Sequence, residues 1–268
     1  MTFREDLSSR ILVLDGAMGT MIQKHGLFGD NELLNLTHPE VIRSIHEEYI
    51  AAGADIIETN SFGANTISQK EYGHSDEAYK MAFEAARIAR SAADAAPRKV
   101  WVAGSVGPTG RSLTLASNAS DPAFRQTGFE EMQEVYAGQI KALIEGGADL
   151  ILLETWFDAL NAKAAIKALE PYDIPVIISA TVSDRSGRTL TGQTLEAFYT
   201  SVRHCPGLCA FGINCALGAE SMTGLIEDTA GFSSLPVIFY PNAGIPDEMG
   251  RYNDTPERMA KVIGALAG

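Results

Sequence analysis

The fold class is decided by the stretch Ala210-Phe211-Gly212-Ile213-Asn214-Cys215-Ala216. Its apolar run rises to the polar pair Asn214-Cys215 and then breaks at Leu217-Gly218. This pattern is typical of a buried parallel strand that delivers a polar side chain at its carboxyl end. A thiolate there could act as a nucleophile or a metal ligand, whereas a core cysteine is the simpler interpretation, since free cysteines are among the most buried residues.

Six further apolar runs have the same form, and helical patterns separate most of them. Strict alternation of strand and helix favours an α/β fold with a parallel sheet. The strands are predicted over residues 11–14, 55–57, 100–103, 150–153, 175–179, 210–213 and 235–239. The helices are predicted over residues 39–52, 77–93, 130–145, 160–169, 195–202 and 256–267, the first with Thr37 as N-cap and Gly53 at its end.

An internal similarity favours a barrel over an open sheet. Residues 52–59 and 147–155 share an Ala-Asp-apolar-Glu-Thr pattern, and each follows an apolar-faced helix, as repeated βα units around a barrel would. A doubly wound sheet is the alternative. It is disfavoured because residues 15–20, Asp-Gly-Ala-Met-Gly-Thr, lack the glycine spacing of a dinucleotide-binding loop.

The length of 268 residues suits a TIM-type (βα)8 barrel, which typically has about 250 residues. Seven strands are identified, so strand eight is expected to be lacking in this sequence. No linker rich in Pro, Gly or Ser divides the chain. We therefore predict a single domain over residues 1–268, which could be incomplete at its carboxyl terminus.

Composition excludes several classes of partner and compartment. The net charge is −13 and no basic patch stands out, which argues against nucleic acid and anionic membranes as partners. Cys205, Cys209 and Cys215 are too few and too clustered for a disulfide framework. The amino terminus lacks the features of a signal peptide, and no apolar run approaches the ~20 residues of a membrane span. These features predict a cytoplasmic protein.

Acidic and amide residues follow the predicted strands, at the end where a barrel holds its active site. Glu58 and Glu154 close apolar strands, where a buried carboxylate is costly unless it is paired or hydrogen-bonded. We expect a cation or a donor beside them, such as the ammonium of a ligand. Asp15 could instead cap its own turn, and Asn60 could be an ordinary loop residue.

Several other residues have simple structural interpretations. Trp156 could pack at the barrel rim or contact a ligand. His38 and His46 are interpreted as helix-cap and helix-surface residues. Cys205 and Cys209 flank a Pro-Gly turn with a spacing that makes a poor zinc site.

Six blocks of sequence together resemble the homocysteine S-methyltransferases. They cover residues 11–20, 53–62, 147–154, 186–194, 212–218 and 241–244. The likeness is greatest to the homocysteine-binding module of cobalamin-dependent methionine synthase, and betaine–homocysteine methyltransferase is a more distant relative. The resemblance implies a TIM-type barrel with zinc at the strand ends, where the metal binds the homocysteine sulfur as a thiolate.

The resemblance also implies roles for individual residues. Cys215 corresponds to the first zinc ligand of the family and would be catalytic. Glu154 corresponds to the acid that receives the substrate amino group. A free thiol with a pKa of ~8.5 is mostly protonated at neutral pH, whereas a thiol bound to zinc is deprotonated. The implied substrate-binding residues are Asp15, Gly16, Ala17, Glu58, Asn60, Glu154 and Asn214.

The sequence departs from the family at the metal site. The two remaining zinc ligands of the family are adjacent cysteines in a Gly-Gly-Cys-Cys motif, but no cysteine follows Cys215 here. The chain could be truncated, could receive the missing strand from another subunit, or could keep the homocysteine pocket without zinc. An open barrel would have two unpaired edges, so we expect it to oligomerise or to cover the gap with its terminal helix.

The leading functional prediction is methyl transfer to the thiol of L-homocysteine, giving methionine. The methyl donor would be a small molecule or methylcobalamin on a separate corrinoid protein, since the chain has no D-x-H-x-x-G motif of its own. The alternative is a non-catalytic or zinc-independent homocysteine-binding subunit that needs a partner. A Schiff-base lyase is disfavoured because Lys163 and Lys167 lie on a predicted helix, away from the strand ends.

Overall fold

A computed structural model describes residues 1–244 and 254–267 of the chain. Six parallel strands form one sheet in sequential order, and the sheet curls into a half-barrel. The strands are β1 (Ile56–Glu58), β2 (Trp101–Val106), β3 (Leu150–Trp156), β4 (Val176–Ala180), β5 (Leu208–Gly218) and β6 (Val237–Asn242). The prediction of a TIM-type α/β barrel that lacks part of the full set of eight strands is confirmed for the described residues.

The first predicted strand, over residues 11–14, is reduced to one parallel bridge between Leu14 and Ile56. Its ladder begins normally, because Asp15 N donates to Ile56 O at 2.9 Å. The next donor, Glu58 N, bonds to the side-chain Oδ2 of Asp15 at 3.0 Å. A carboxylate thus occupies the place of the next ladder carbonyl and ends the pairing. Within the described residues, the seven predicted strands are therefore corrected to six, with a single bridge in place of the first.

Helices connect each strand to the next, as the alternating pattern predicted, and further helices precede the first strand and follow the last. The helices at 39–52, 195–202 and 256–267 have the predicted bounds, whereas the helix at 219–232 and the short helices at 3–9, 18–24, 34–37 and 66–69 were not predicted. The helices are α1 (Phe3–Ser9), α2 (Met18–Lys24), α3 (Leu34–Thr37), α4 (Pro39–Ala52), α5 (Thr66–Gln69), α6 (Ala78–Ala95), α7 (Phe129–Glu145), α8 (Ala159–Leu169), α9 (Leu195–Val202), α10 (Ala219–Phe232) and α11 (Pro256–Ala267). None of these described helices is long and apolar enough to cross a membrane.

Two predictions about α4 are wrong. Its N-cap is His38, because Thr37 belongs to α3 and its hydroxyl donates back to Leu33 O at 3.2 Å. Its end is as predicted, with Gly53 in the left-handed conformation at φ 112°. His46 was predicted on the helix surface, yet it is fully buried and neither ring nitrogen has a hydrogen-bond partner among the described residues. It occupies the core-facing stripe of α4, next to Ile45, and burial lowers its pKa to about 4.

Burial along the sheet distinguishes the central strands from the edge. Every residue of β2 and β4 is buried, as expected for parallel strands covered on both faces. Every residue of β6 is only partly buried. On the helix-facing side of the sheet, the Trp156 ring is fully buried and lies 5.2 Å from the Tyr136 ring of α7. Trp156 is therefore a packing residue in this structure.

Helix α1 covers the amino-terminal end of the strands. Phe3 packs edge-on against Trp101 with ring centroids 5.4 Å apart. Trp101 Nε1 donates to Asp6 Oδ2 at 2.8 Å, and Arg10 Nε pairs with Asp6 Oδ1 at 2.9 Å. These contacts close one end of the half-barrel and leave polar side chains to gather at the other.

Candidate active site

Three carboxyl groups and one thiol come together at the carboxyl end of the sheet. Asp15 follows the Leu14 bridge, Glu58 ends β1, Glu154 lies in β3 and Cys215 in β5. The four groups are close enough to affect one another electrostatically, because Glu154 raises the pKa of Asp15, Glu58 and Cys215. The structure therefore brings these four predicted residues together.

Each carboxylate oxygen of Glu154 accepts a hydrogen bond from a hydroxyl group. Ser105 Oγ donates to Oε1, and the Tyr240 hydroxyl donates to Oε2 at 3.2 Å. The side chain is buried, with 7% of the residue exposed. Burial raises the pKa of Glu154, while the two hydroxyl groups oppose that rise by stabilising the charged form.

Asp15 and Glu58 have fewer donors. Asp15 Oδ1 has no hydrogen-bond partner among the described residues, and Oδ2 accepts only from Glu58 N. Burial, followed by the neighbouring carboxyl groups, raises the pKa of Glu58 well above its usual range. No lysine or arginine of the described ranges forms an ion pair with Asp15, Glu58 or Glu154. The carboxyl end of the sheet, where Asp15, Glu58, Glu154 and Cys215 come together, is called the mouth. It can therefore accept a cationic group from a ligand.

Cys215 lies half-buried in an unusual backbone. Its φ is 55°, and Thr155 and Ala216 also have positive values, 63° and 61°. Non-glycine residues in this region cost about 1–3 kcal/mol each and are concentrated at functional sites. Burial raises the pKa of the Cys215 thiol, and the charge of Glu154 raises it further. The thiol by itself is therefore a weak nucleophile at neutral pH.

Asn214 holds this part of the backbone in place. Its Oδ1 accepts from Thr155 N at 2.9 Å and from Ser179 Oγ at 2.7 Å. Its Nδ2 donates to Thr155 Oγ1 at 2.7 Å and to Cys215 Sγ at 3.2 Å. The amide thus ties the ends of β3, β4 and β5 together, with both of its polar atoms engaged by the protein.

The remaining predicted site residues, Gly16, Ala17 and Asn60, have contacts of their own near the strand ends. A Cβ atom on Gly16 would lie 2.9 Å from the Tyr49 ring, so a larger residue there would require the Tyr49 side chain to shift. The Tyr49 hydroxyl donates to Ala17 O at 3.2 Å. Asn60 Nδ2 donates to Asn31 O at 2.7 Å and is engaged in fixing its loop. The Asn60 side chain, like that of Asn214, is thus held by hydrogen bonds within the protein.

The family model described as homocysteine S-methyltransferase matches residues 12–267. The chain belongs to this family. The metallated form of the homocysteine methyltransferase MmuM from Escherichia coli is similar, at 28% identity over 90% of this chain and 87% of that chain, with a TM-score of 0.77. Its oxidized form gives 25% identity over 97% and 89%, with a TM-score of 0.80. These matches confirm the resemblance and support an enzyme of this kind.

A more distant likeness concerns the fold alone. The 3-keto-D-glucoside 4-epimerase YcjR from E. coli is 11% identical over 96% of this chain and 98% of that chain, with a TM-score of 0.53. The shared feature is the α/β architecture. The strand-end residues of this homocysteine S-methyltransferase family member therefore distinguish it more sharply than its fold does.

The described residues of this family member do not fit a zinc site with three protein ligands. Among them, no group of three or more His, Cys, Asp or Glu side chains could hold a metal ion. Cys209 precedes Cys215 on β5 by roughly 20 Å of extended strand. Its Sγ donates to Val176 O at 3.2 Å, near the amino end of the sheet. Cys215 is thus the one cysteine of the three that lies at the mouth.

Two polar residues of the site were missed by the sequence analysis. Ser105 is a hydroxyl residue within the buried strand β2, and this local break in apolar character could have identified it. Tyr240 looks like an ordinary strand aromatic, and nothing in the sequence distinguishes it. Both became visible only through their contacts with Glu154.

Proposed function

We propose that this chain transfers a methyl group from an activated donor to the thiol of L-homocysteine, giving methionine. The observation that carries the proposal is the buried Glu154 carboxylate, which has hydroxyl donors and no ion-pair partner among the described residues. Such a group is stabilised when a ligand supplies the ammonium. Membership of the homocysteine S-methyltransferase family supports the same assignment.

In this assignment Glu154 receives the substrate ammonium, and the substrate thiol lies toward Cys215. Asp15, Gly16, Ala17 and Glu58 form the wall of the pocket, with Asn60 and Asn214 supporting it. The reaction forms a sulfur–methyl bond, breaks the bond between the methyl group and its donor, and releases the thiol proton. We take residues 1–268 as one homocysteine-binding domain.

The zinc that the family resemblance implies has Cys215 as its one assigned ligand in this chain. The described residues supply no second or third ligand beside it. This lack favours a second candidate function, a zinc-independent homocysteine-binding subunit that needs a partner. The methyl donor, in either case, is a small molecule or a corrinoid carried by another protein. The partly buried edge strand β6 is consistent with a homo-oligomer or a partner subunit.

The experiment combines ligand binding with metal analysis. L-Homocysteine is titrated into the purified chain by calorimetry, with and without added Zn²⁺, and bound metal is measured by elemental analysis. Methyl transfer is then assayed with betaine, S-methylmethionine and a methylcobalamin protein as donors. About one zinc per chain together with product supports the methyltransferase. Homocysteine binding without zinc or product supports the binding subunit.

Glu154→Gln tests the residue that carries the proposal. The substitution keeps the shape of the side chain and removes its charge, so homocysteine affinity should fall by roughly 1–3 kcal/mol. Glu227→Gln, on the exposed face of α10, is the matched control and should leave affinity unchanged. An unchanged affinity in Glu154→Gln would show that the substrate ammonium binds elsewhere.

A further inference from the structure

The two hydroxyl groups that donate hydrogen bonds to Glu154 come from different sides of the half-barrel. Ser105 lies on β2, next to the strand of Glu154, whereas Tyr240 lies on the edge strand β6. We propose that Ser105 and Tyr240 are positioning residues that make the site selective for thiols carrying an α-amino group. The proposal rests on the proposed function, in which Glu154 receives the substrate ammonium.

A buried hydrogen-bond network fixes Ser105. Its main-chain N donates to Thr59 Oγ1 at 2.9 Å, and its carbonyl accepts from Ser61 Oγ at 2.8 Å. The hydroxyl groups of Thr59 and Ser61 are themselves 2.6 Å apart. Gln139 Nε2 of α7 donates to Ser61 O at 2.7 Å and anchors the network to the helix layer. The Ser105 hydroxyl is therefore held at a defined place beside Glu154.

Tyr240 reaches Glu154 across the concave inner face of the sheet. Two strands, β4 and β5, lie between β3 and β6 in the sheet. The curl of the sheet shortens the distance between β3 and β6 across its concave face. Tyr240 packs against the inner cluster that contains Ile56, Leu152 and Ile177. Burial and the nearby carboxyl groups raise the pKa of Tyr240 well above its usual range, so its hydroxyl keeps its proton and acts as a donor.

The two donors give Glu154 an environment that the other acids lack. Asp15 accepts one main-chain hydrogen bond on Oδ2, and its Oδ1 has no partner among the described residues. Hydroxyl donors stabilise the charged form of Glu154 and fix the plane of its carboxylate, which leaves a defined direction for an ammonium group. A ligand without that ammonium gains nothing from this arrangement.

Calorimetry with two ligands tests the proposal. L-Homocysteine and 4-mercaptobutanoate differ only in the α-amino group, and both are titrated under reducing conditions. Tyr240→Phe and Ser105→Ala should each lower homocysteine affinity about 10-fold or more, because each removes a hydrogen bond to a charged group. The affinity for 4-mercaptobutanoate should stay unchanged. The ratio of the affinity for homocysteine to the affinity for 4-mercaptobutanoate should therefore fall.

Matched controls separate this effect from general damage. Tyr199→Phe removes a hydroxyl that lies 3.3 Å from Ser234 Oγ, and Ser201→Ala removes a helix hydroxyl bonded to Ala197 O. Both should bind the two ligands as the unmodified chain does. Thermal unfolding is measured for every variant to confirm that it folds.

Each remaining outcome contradicts the proposal. Equal losses for both ligands in Tyr240→Phe or Ser105→Ala would show a structural role. Unchanged homocysteine affinity in these variants, with normal binding by the unmodified chain, would overturn the positioning role and leave the proposed function intact. Failure of the unmodified chain to bind homocysteine would overturn both.

Discussion

The two ends of the same strands treat acidic residues in opposite ways. At the amino end, Asp55 pairs with Arg10 at 2.9 Å and Arg98 at 3.3 Å, and Asp149 pairs with Arg90 at 2.8 Å. At the carboxyl end, Glu58 and Glu154 have no such pair among the described residues. Both pairs of acids come from the repeated Ala-Asp-apolar-Glu-Thr pattern, so position along the strand decides their environment.

The pKa values follow this difference. Burial alone would raise the pKa of Asp55, but hydrogen bonds from Arg10 and Val13 N lower it overall. At the other end, burial and neighbouring carboxyl groups raise the pKa of Asp15 and Glu58 well above the usual range. Paired acids stabilise the fold, whereas acids that the surrounding structure forces together without cations mark a binding site.

Backbone conformation shows the same contrast. The three described non-glycine residues with positive φ are Thr155, Cys215 and Ala216, and all lie at the carboxyl end. The Asn214 amide holds this arrangement through its bonds to Thr155 and Cys215. The strand ends that carry strain are therefore those that carry the candidate chemistry.

Removing the thiol at the carboxyl end should have the largest effect. Cys215→Ser should abolish methyl transfer, because the mouth then lacks its cysteine, and the fold should be retained. Cys209→Ala, toward the other end of β5, is the control and should keep activity despite some loss of stability. Product formation and far-ultraviolet circular dichroism check both variants. Full activity in Cys215→Ser would remove this residue from the mechanism.

His46 lies in α4, away from both ends of the strands. It tests how much unfolding free energy is lost when an imidazole is buried without a hydrogen-bond partner among the described residues. Its folded pKa of about 4 is below the usual 6.5, so the unfolded chain binds more protons between these values. His46 should therefore reduce stability progressively as pH falls from about 6.5 to about 4, by up to about 3 kcal/mol.

The measurement is urea unfolding at pH 7 and pH 4.5. His46→Leu should lose less stability between these pH values than the unmodified chain, whereas the exposed His25→Leu should behave like the unmodified chain. Identical pH dependence in His46→Leu and the unmodified chain would contradict burial of a neutral imidazole.

Removing a paired charge at the amino end should have the smallest of these effects. Asp55→Asn weakens the bonds to Arg10 and Arg98 and should cost about 1–2 kcal/mol of unfolding free energy, since Arg10 is partly exposed and screened. Asp94→Asn, which breaks a more exposed pair with Arg90, should cost about 0–1 kcal/mol. If chemical denaturation showed the same loss of unfolding free energy in Asp55→Asn and Asp94→Asn, the burial of Asp55 would not strengthen its ion pairs.

Periodicity predicted the order of strands and helices, but not where the strands end. The predicted strands at 100–103 and 210–213 stopped at the first polar or small residues. In the structure β2 continues to Val106 and β5 to Gly218, because inward-facing polar residues still pair through their backbones. The opposite error occurred at residues 11–14, where the Asp15 side chain replaces a ladder carbonyl.

The acids of the site were predictable, whereas their hydrogen-bond partners were not. Glu58 and Glu154 stand out because carboxylates close apolar strands. The contact between Tyr240 and Glu154 depends on sheet curl, which no local pattern encodes. His46 was misplaced because a polar residue without a partner is not expected in a core-facing stripe.

The most direct test measures stability and homocysteine affinity for Asp55→Asn and Glu154→Gln in parallel. Asp55→Asn should lower the unfolding free energy and leave homocysteine affinity unchanged. Glu154→Gln should keep or raise the unfolding free energy and lower the affinity by roughly 1–3 kcal/mol. If both variants lost stability and affinity together, the division between a stabilising amino end and a binding carboxyl end would be contradicted.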